Sequence, residues 1–598
     1  MGDVRSGAKR RGVVWTGPRM ATVAVFAVVA PLGLTGQALA AAPAATPAAT
    51  PAVASAAAGL HNSSDAGNGW QTGTWGDVLA DLLSFNGSTG GYDATRDPGS
   101  LYTVTKSIGA RAVWNDLDSH GRHITGQGVT VALLDSGAQP VTGLDSAGKL
   151  VFGPDLSLEA SDPALTDQDD YGHGTHLAGI IGAHDAGVTV NSAASPAAQL
   201  GVAPDATIMP VKLATADGAT DVSQVIAALD WVVQHRNDDP AKPVRVVNLS
   251  FGTDSLQSYQ TDPLAAAAEN AWRHGIVVVV SGGNEGTVGR LTDPAIDPYV
   301  IAVGASDPQE RTDNTQLAAA DFSSVGSAGR HVDLLAPGTS IASLRDTGSY
   351  VDSNHPEGRV LTDTTGRLFR GSGTSQAAAV VSGSVALLLQ DHPELTPDQV
   401  KGLLMANADK VKGSTLAVGS GNLDIAATVN SLDGLVAPLL RGLLAQPTPG
   451  KNLVQSYPVS NGLGSLEAAR GGSYVFDPDS GVPLTGEQDV QGMPWNAAAW
   501  SSASAKGSAW QGGAWLGTVW SGTGWTTSAG LKSWVNAPWT GARWSGARWS
   551  DADWSGARWS GARWSGARWS DADWSGARWS GARWSGARWS DAVWGAEA

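Results

Sequence analysis

The sequence predicts an α/β fold built on a doubly wound parallel sheet with helices on both faces. Three observations predict it. Short β-branched runs bounded by glycine or proline recur between about residues 101 and 430. Stretches with helical spacing of apolar residues lie between them, and an alternation of this kind belongs to parallel sheets. Polar residues stand at the C-terminal ends of the runs, where open α/β sheets place their sites.

The elements follow in chain order. The run 129–134 ends at Asp135, and 208–212 is the next. The run 246–249 ends at Ser250, and 276–280 leads into Ser281-Gly282-Gly283-Asn284. Two more lie at 299–303 and 332–335. None alternates polar and apolar residues, as expected of strands covered by helices on both faces. Helical patterns occupy 222–236, 264–273, 375–390 and 396–406.

Five zones divide the 598 residues by composition. Residues 1–40 read as an export signal: Arg5, Lys9, Arg10, Arg11 and Arg19 precede an apolar run from 20 to about 34, and Ala38-Leu39-Ala40 offers a cleavage site. The run is short and broken by Pro31, unlike a membrane span. Residues 41–100 form an Ala/Pro-rich linker with room for a short pro-segment. Residues 101–430 are the α/β domain, 431–490 a connecting region, and 491–598 a Trp-rich tail. Net charge is −17, which sets nucleic acid aside as a main partner. There are no cysteines, which removes disulfides, thiolate metal sites and a cysteine nucleophile.

Four segments carry chemistry. Asp135 heads an Asp-Ser-Gly turn at a strand end, a pattern that taken alone more often marks a plain turn with a structural Asp. His173 lies in Asp170-Tyr-Gly-His-Gly-Thr-His-Leu-Ala-Gly179, where flanking glycines allow close backbone approach. A metal reading of His173 and His176 meets the wrong spacing, i, i+3 with no intervening Glu, so His176 reads as a packed, hydrogen-bonded neighbour. Ser375 sits in Gly371-Ser-Gly-Thr-Ser375, where a Gly-rich turn enters a helix. A serine there is either an N-cap or a nucleophile whose own N–H helps hold an oxyanion. Asn284 follows a buried strand among glycines, so it serves either a turn or a cleft-facing amide donor.

Together these segments resemble the subtilisin-like serine peptidases. The order Asp135, His173, Ser375 is the subtilisin order of triad residues. The resemblance covers about residues 101–430. It rests most on His-Gly-Thr-His at 173–176 and Gly-Thr-Ser at 373–375, with Asn248–Gly252, Leu335-Ala-Pro-Gly338 and Gly419–Asp424 beside them. It implies a subtilisin-like fold and a secreted serine endopeptidase acting through an acyl-enzyme. Ser375 would be the nucleophile, His173 the base, Asp135 the group that orients it, and Asn284 an oxyanion donor. Ser250, Phe251 and Gly252 would bind an extended peptide by strand pairing, facing Gly282 and Gly283. The glycine lining suggests room for a bulky apolar side chain. Where the family commonly has Met and Pro after the nucleophile, this chain has Gln376 and Ala379. Alanine should let the helix run on. The alternative is a catalytically impaired envelope-binding protein of the same fold.

Protein or peptide substrates are the implied partners, and no cofactor is implied. Asp167, Asp169 and Asp170 offer the oxygen ligands calcium takes, set against a solvated loop. The tail repeats Ser-Gly-Ala-Arg-Trp with Trp every five residues from Trp544 to Trp594, and Asp-Ala-Asp at 551–553 and 571–573 imposes a longer period of 20. Three readings compete: a disordered repeat, a cell-wall or polysaccharide-binding surface, and a β-solenoid with four five-residue sides per coil.

Overall fold

The computed structural model describes residues 91–160, 165–286, 289–433, 453–476 and 483–520, with the backbone of three short strands further on. The export signal at 1–40, nearly all of the linker at 41–100 and most of the repeat tail lie outside the described residues.

The strands of the main sheet are β1 (Thr130–Asp135), β2 (Thr207–Lys212), β3 (Val244–Leu249), β5 (Val277–Ser281), β6 (Ile301–Asp307), β7 (Ala318–Ala319) and β8 (Leu334–Pro337). A two-residue strand, β4 (Phe251–Gly252), follows β3 outside the sheet. Six strands run parallel in the order β2-β1-β3-β5-β6-β8, and β7 pairs antiparallel with the end of β6. Every residue of β1 and β5 is buried. Strands buried at successive positions must be covered on both faces, which is why they read as unbroken apolar runs.

Four helices carry most of the cover: α1 (His173–Gly182), α2 (Val222–His235), α3 (Pro263–Arg273) and α4 (Thr374–Asp391), with α5 (Pro397–Ala406) beyond them. Their starts are legible in local chemistry. Asp221 and Gln224 form a reciprocal capping box on α2. Asp262 caps α3, with Pro263 in its first turn. Thr396 and Gln399 repeat the capping box on α5. α4 runs through Ala379 without a break, as its alanines predict. α1 packs on α4, and α4 lies along β3, β5, β6 and β8. β9 (Ile341–Leu344) and β10 (Leu368–Gly371) form an antiparallel pair beside α1. Chain order reverses between β1 and β3, so the crevice outside their C-terminal ends is where a doubly wound sheet opens to a ligand.

Residues 453–520 extend this core. Helix α6 (Leu466–Arg470) places the Arg470 guanidinium 2.7 Å from Asp221 Oδ2, with both side chains fully buried. Arg470 thus ties the segment to the cap of α2. Helix α7 (Ala497–Ala505) and the strands β11 (Trp510–Gln511), β12 (Ala514–Trp515) and β13 (Thr518–Val519) bring Trp500, Trp510, Trp515 and Trp520 into the main hydrophobic core. Asp230 of α2 is their polar anchor. It accepts the indole N–H of Trp500 at 2.9 Å and of Trp515 at 3.0 Å, and the Ser504 hydroxyl. Burial lifts its pKa to about 6 against the pull of these donors.

Asp230→Ala would leave two buried indole donors and a hydroxyl without their acceptor. Each such orphan costs about 1–3 kcal/mol. The urea midpoint of unfolding should drop clearly, with the m-value unchanged; an unchanged midpoint would show that Asp230 anchors nothing. The carboxyl binds its proton more tightly in the folded chain than at the unfolded value of 3.8. Its contribution is therefore greatest below that value and declines as pH rises toward about 6.

In the tail, β14 (Arg548–Trp549) pairs antiparallel with β4. β15 (Arg563–Ser565) and β16 (Arg583–Ser585) pair parallel and in register, Trp564 opposite Trp584. That offset equals the period of 20 read in the sequence.

Candidate active site

The loops at the C-terminal edge of the sheet carry the four residues singled out by sequence. Asp135 is the last residue of β1, and His173 the first of α1. Ser375 is the second residue of α4, and Asn284 follows β5 by three residues.

Two glycines seat the start of α1, Gly172 against Ser349 and Gly174 against the exit of β1. Gly172, at the helix N-cap, has φ 101°, and a Cβ there would fall 2.4 Å from Ser349 Oγ. At Gly174 a Cβ would fall 2.0 Å from the Gly137 carbonyl oxygen. No side chain fits either place, so α1 starts directly against the exit of β1. The result is a short bond: His173 Nδ1 lies 2.8 Å from Asp135 Oδ1, with both side chains fully buried. Burial raises the Asp135 carboxyl above the ordinary range, while His173 and the Ser136 N–H draw it down. A carboxylate in that position favours the tautomer with the proton on Nδ1, which leaves Nε2 with its lone pair.

His176 lies apart from this pair. Its Nε2 is 3.1 Å from both the Ile341 and Phe369 carbonyl oxygens, so Nε2 carries the proton and donates. Burial, with His173 nearby, lowers its pKa to about 3, and the ring is neutral. It links α1 to β9 and β10, the packed role the sequence suggested.

Asn284 is bound to the start of α4. Its Oδ1 accepts from the backbone N–H and the hydroxyl of Thr374, each at 3.0 Å. With Oδ1 engaged, Nδ2 is buried and has no protein partner among the described residues. A buried amide donor left open beside a helix N-terminus suits an oxygen that acquires charge. Ser250 follows β3, and its hydroxyl lies 3.4 Å from the Ser375 carbonyl oxygen. Asn248 joins them from below, donating to Ser250 Oγ and accepting from Ser382 of α4.

Gly252 and Gly283 both face Thr292. A Cβ on Gly252 would fall 2.5 Å from Thr292 Oγ1, and one on Gly283 would fall 2.9 Å from Thr292 Cγ2. Thr292 is therefore packed against both glycines of the gap that the sequence reading expected to hold a bulky apolar side chain. The sequence reading missed it because no motif marks residue 292, and only folding brings it against Gly252, forty residues earlier.

Two of the three acids before His173, Asp169 and Asp170, have their carboxylates satisfied by protein groups. Asp170 pairs with Lys212 at 3.1 Å, and Asp169 takes three donors from protein groups. The backbone N–H of Asp167 bonds to Asp155. Among the described residues no group of three or more His, Asp or Glu is arranged to hold a metal ion.

The chain matches the Subtilase family over residues 126–422. It is 36% identical over 319 residues to Serine protease AprX of Bacillus subtilis strain 168, covering 52% of this chain and 67% of that protein. It is 31% identical over 303 residues to Subtilisin Savinase of Lederbergia lenta, covering 51% of this chain and 91% of that one.

The chain belongs to the subtilase family.

It is accordingly a serine-type endopeptidase, a hydrolase acting on peptides or proteins. A solved structure, described as a cold adapted subtilisin-like serine proteinase, is also similar to this subtilase, at 30% identity and a TM-score of 0.37, covering 50% of this chain and 89% of that one. The fold assignment rests on the parallel sheet itself and on the family. Sequence reading of this subtilase missed Thr374, which fixes Asn284, and Ser136 and Asp169, which surround Asp135. The signals were present: Thr374 in the Gly-Thr-Ser motif, Ser136 in the Asp-Ser-Gly turn and Asp169 in the acidic cluster, but none of them showed which residue each would bond to.

Proposed function

We propose that this subtilase cleaves peptide bonds through an acyl-enzyme formed on Ser375. The observation that carries the reading is the buried 2.8 Å bond between Asp135 and His173, at the edge where α4 presents Ser375. His173 Nε2 takes the proton of Ser375 Oγ as that oxygen bonds to the substrate carbonyl carbon. The carbonyl oxygen becomes an oxyanion, held by Asn284 Nδ2 and the Ser375 N–H. The carbon–nitrogen bond then breaks, and His173 returns the proton to the departing amine. Water repeats the sequence and releases the acid. Asp135 holds the imidazole tautomer and offsets the imidazolium charge throughout.

A fluorophosphonate probe tests the assignment. It bonds to an activated serine with loss of fluoride, so peptide mapping should find the adduct on Ser375 and none in His173→Ala. An unlabelled wild-type chain would favour the impaired, envelope-binding alternative.

Substrate binds, in this reading, as an extended segment along Ser250, Phe251 and Gly252, with Gly282 and Gly283 opposite. Thr292 forms the floor between them and restricts the side chain on the acyl side of the cleaved bond to small residues. Thr292→Gly is expected to raise kcat/KM for phenylalanine relative to alanine at that position by about tenfold or more, since a pocket gains roughly that for each added contact group. Peptide-library profiles of the two proteins measure it; a wild type that already prefers phenylalanine, unchanged in the variant, would remove Thr292 from the pocket.

Export is part of the proposal, supported by the basic and apolar pattern of residues 1–40. Among the described residues no helix is long and apolar enough to cross a membrane. The proposed division of the chain keeps 101–430 as the peptidase domain and places wall or polysaccharide contact on the repeat tail. Calcium remains a proposal without a described site.

A further inference from the structure

We propose that Asp169 is a positioning residue for the catalytic histidine, acting from two sides at once. The proposal rests on the reading of His173 as the base.

The first side is the helix that carries His173. α1 opens at His173, but its N-cap, Gly172, has no side chain to cap with. Asp169 supplies the missing acceptor. Its Oδ2 accepts the Thr175 N–H at 2.6 Å and its Oδ1 the Gly172 N–H at 2.8 Å. Two donors that the helix start leaves open are thus taken by one fully buried carboxylate. A carboxylate at this end also sits favourably in the helix field.

The second side is Asp135. The Ser136 hydroxyl lies 2.7 Å from Asp169 Oδ1 and 3.2 Å from Asp135 Oδ1, and it accepts the Gly174 N–H at 2.9 Å. A hydroxyl has one proton to give, and the shorter contact assigns it to Asp169. Asp135 Oδ1 is then left to the Ser136 N–H and to His173. Backbone packing closes the arrangement: a Cβ at Gly137 would fall 2.8 Å from the Gln168 carbonyl oxygen and 3.2 Å from Asp169 Cα. The strand exit bearing Asp135 and the helix start bearing His173 are bonded to the same carboxylate. Their mutual distance is set by Asp169.

Asp169 also adds negative charge to the histidine's surroundings. The other charged or titratable groups there are Asp135, Tyr171, whose ring centroid is 6.5 Å from that of His173, neutral His176, the Asp170–Lys212 pair and Asp346, whose carboxyl is raised to about 8 by burial and by Asp169 and Asp170. Removing the Asp169 charge stabilises imidazolium less, so the histidine loses its proton at lower pH.

Asp169→Asn is the test, with rates expressed per site titrated by the fluorophosphonate probe so that unfolded protein is not counted. The amide cannot accept at both former oxygen positions. kcat should fall about 10–100-fold, the range seen when a partner behind a functional histidine is lost. KM should hold within about twofold, because Asp169 touches no substrate. The acid limb of kcat/KM should move to lower pH. Ser136→Ala, which removes the hydroxyl between the two carboxylates and the acceptor of the Gly174 N–H but keeps the Asp169 charge and its bonds to Gly172 and Thr175, should lower kcat less and leave most of the acid limb in place. A merely structural Asp169 predicts lower thermal stability with kcat per titrated site and the acid limb unchanged; that result would overturn the proposal. His173→Ala runs alongside: full activity there would instead remove His173 as base, a separable failure.

Discussion

Ser375→Ala is expected to lower kcat by about a millionfold, the loss known for the nucleophile of subtilisin, a relative of this chain. Asp135 fixes the His173 tautomer, and a base so oriented has no reacting hydroxyl to serve once Ser375 is gone. What activity remains comes from substrate binding and the oxyanion donors, which act without the base. KM should change little, since Ser375 contributes reaction and not affinity. Stability should hold, because residue 375 lies in the first turn of α4 and alanine is the best helix former. Hydrolysis of casein and of a chromogenic peptide, after inactivation of traces of wild type, measures the effect. A Ser375→Ala chain cleaving near the wild-type rate would overturn the assigned nucleophile.

Asn284→Ala should lower kcat by about 10²–10³, the effect of removing the oxyanion asparagine in subtilisin. Two roles must be separated. Oδ1 binds Thr374 and anchors the loop to α4, while Nδ2 is the open donor. Asn284→Asp retains an acceptor for Thr374 and removes the donor. If Nδ2 holds the oxyanion, the aspartate variant should lose at least as much activity as the alanine one. If the residue only anchors the loop, aspartate should restore most of the rate. KM should stay near wild type in both, because charge on that oxygen develops only in the transition state. Single-turnover rates with an ester and an amide substrate distinguish the outcomes.

The strands of the core were legible because burial on both faces removes polar residues from them, a constraint visible without coordinates. β1 and β5 are read to within a residue or two from Val129 and Ile276 onward. The helices were legible from the spacing of their apolar residues, and the structure adds the capping boxes of Asp221 with Gln224 and Thr396 with Gln399 that fix two of their starts. Residues 453–520 were harder. Read as the end of a connecting region and the start of a tail, they contain the tryptophans that Asp230 holds in the core. Trp500, Trp510, Trp515 and Trp520 already show spacings that are multiples of five. The signal was present, but spacing alone does not say what a tryptophan packs on.

The sequence by itself determined the strand-and-helix order, the candidate Asp135, His173, Ser375 and Asn284, and the family they imply, because each sits in a short motif whose glycines and small residues answer local backbone demands. Only the tertiary structure decided what surrounds them. Thr292 packs against Gly252 and Gly283, Thr374 turns Asn284, and Asp169 joins the strand of Asp135 to the helix of His173. Such contacts link residues that are far apart in the chain or that become neighbours only after folding. Their positions are set by packing and by the need to satisfy buried polar groups, which local sequence does not encode.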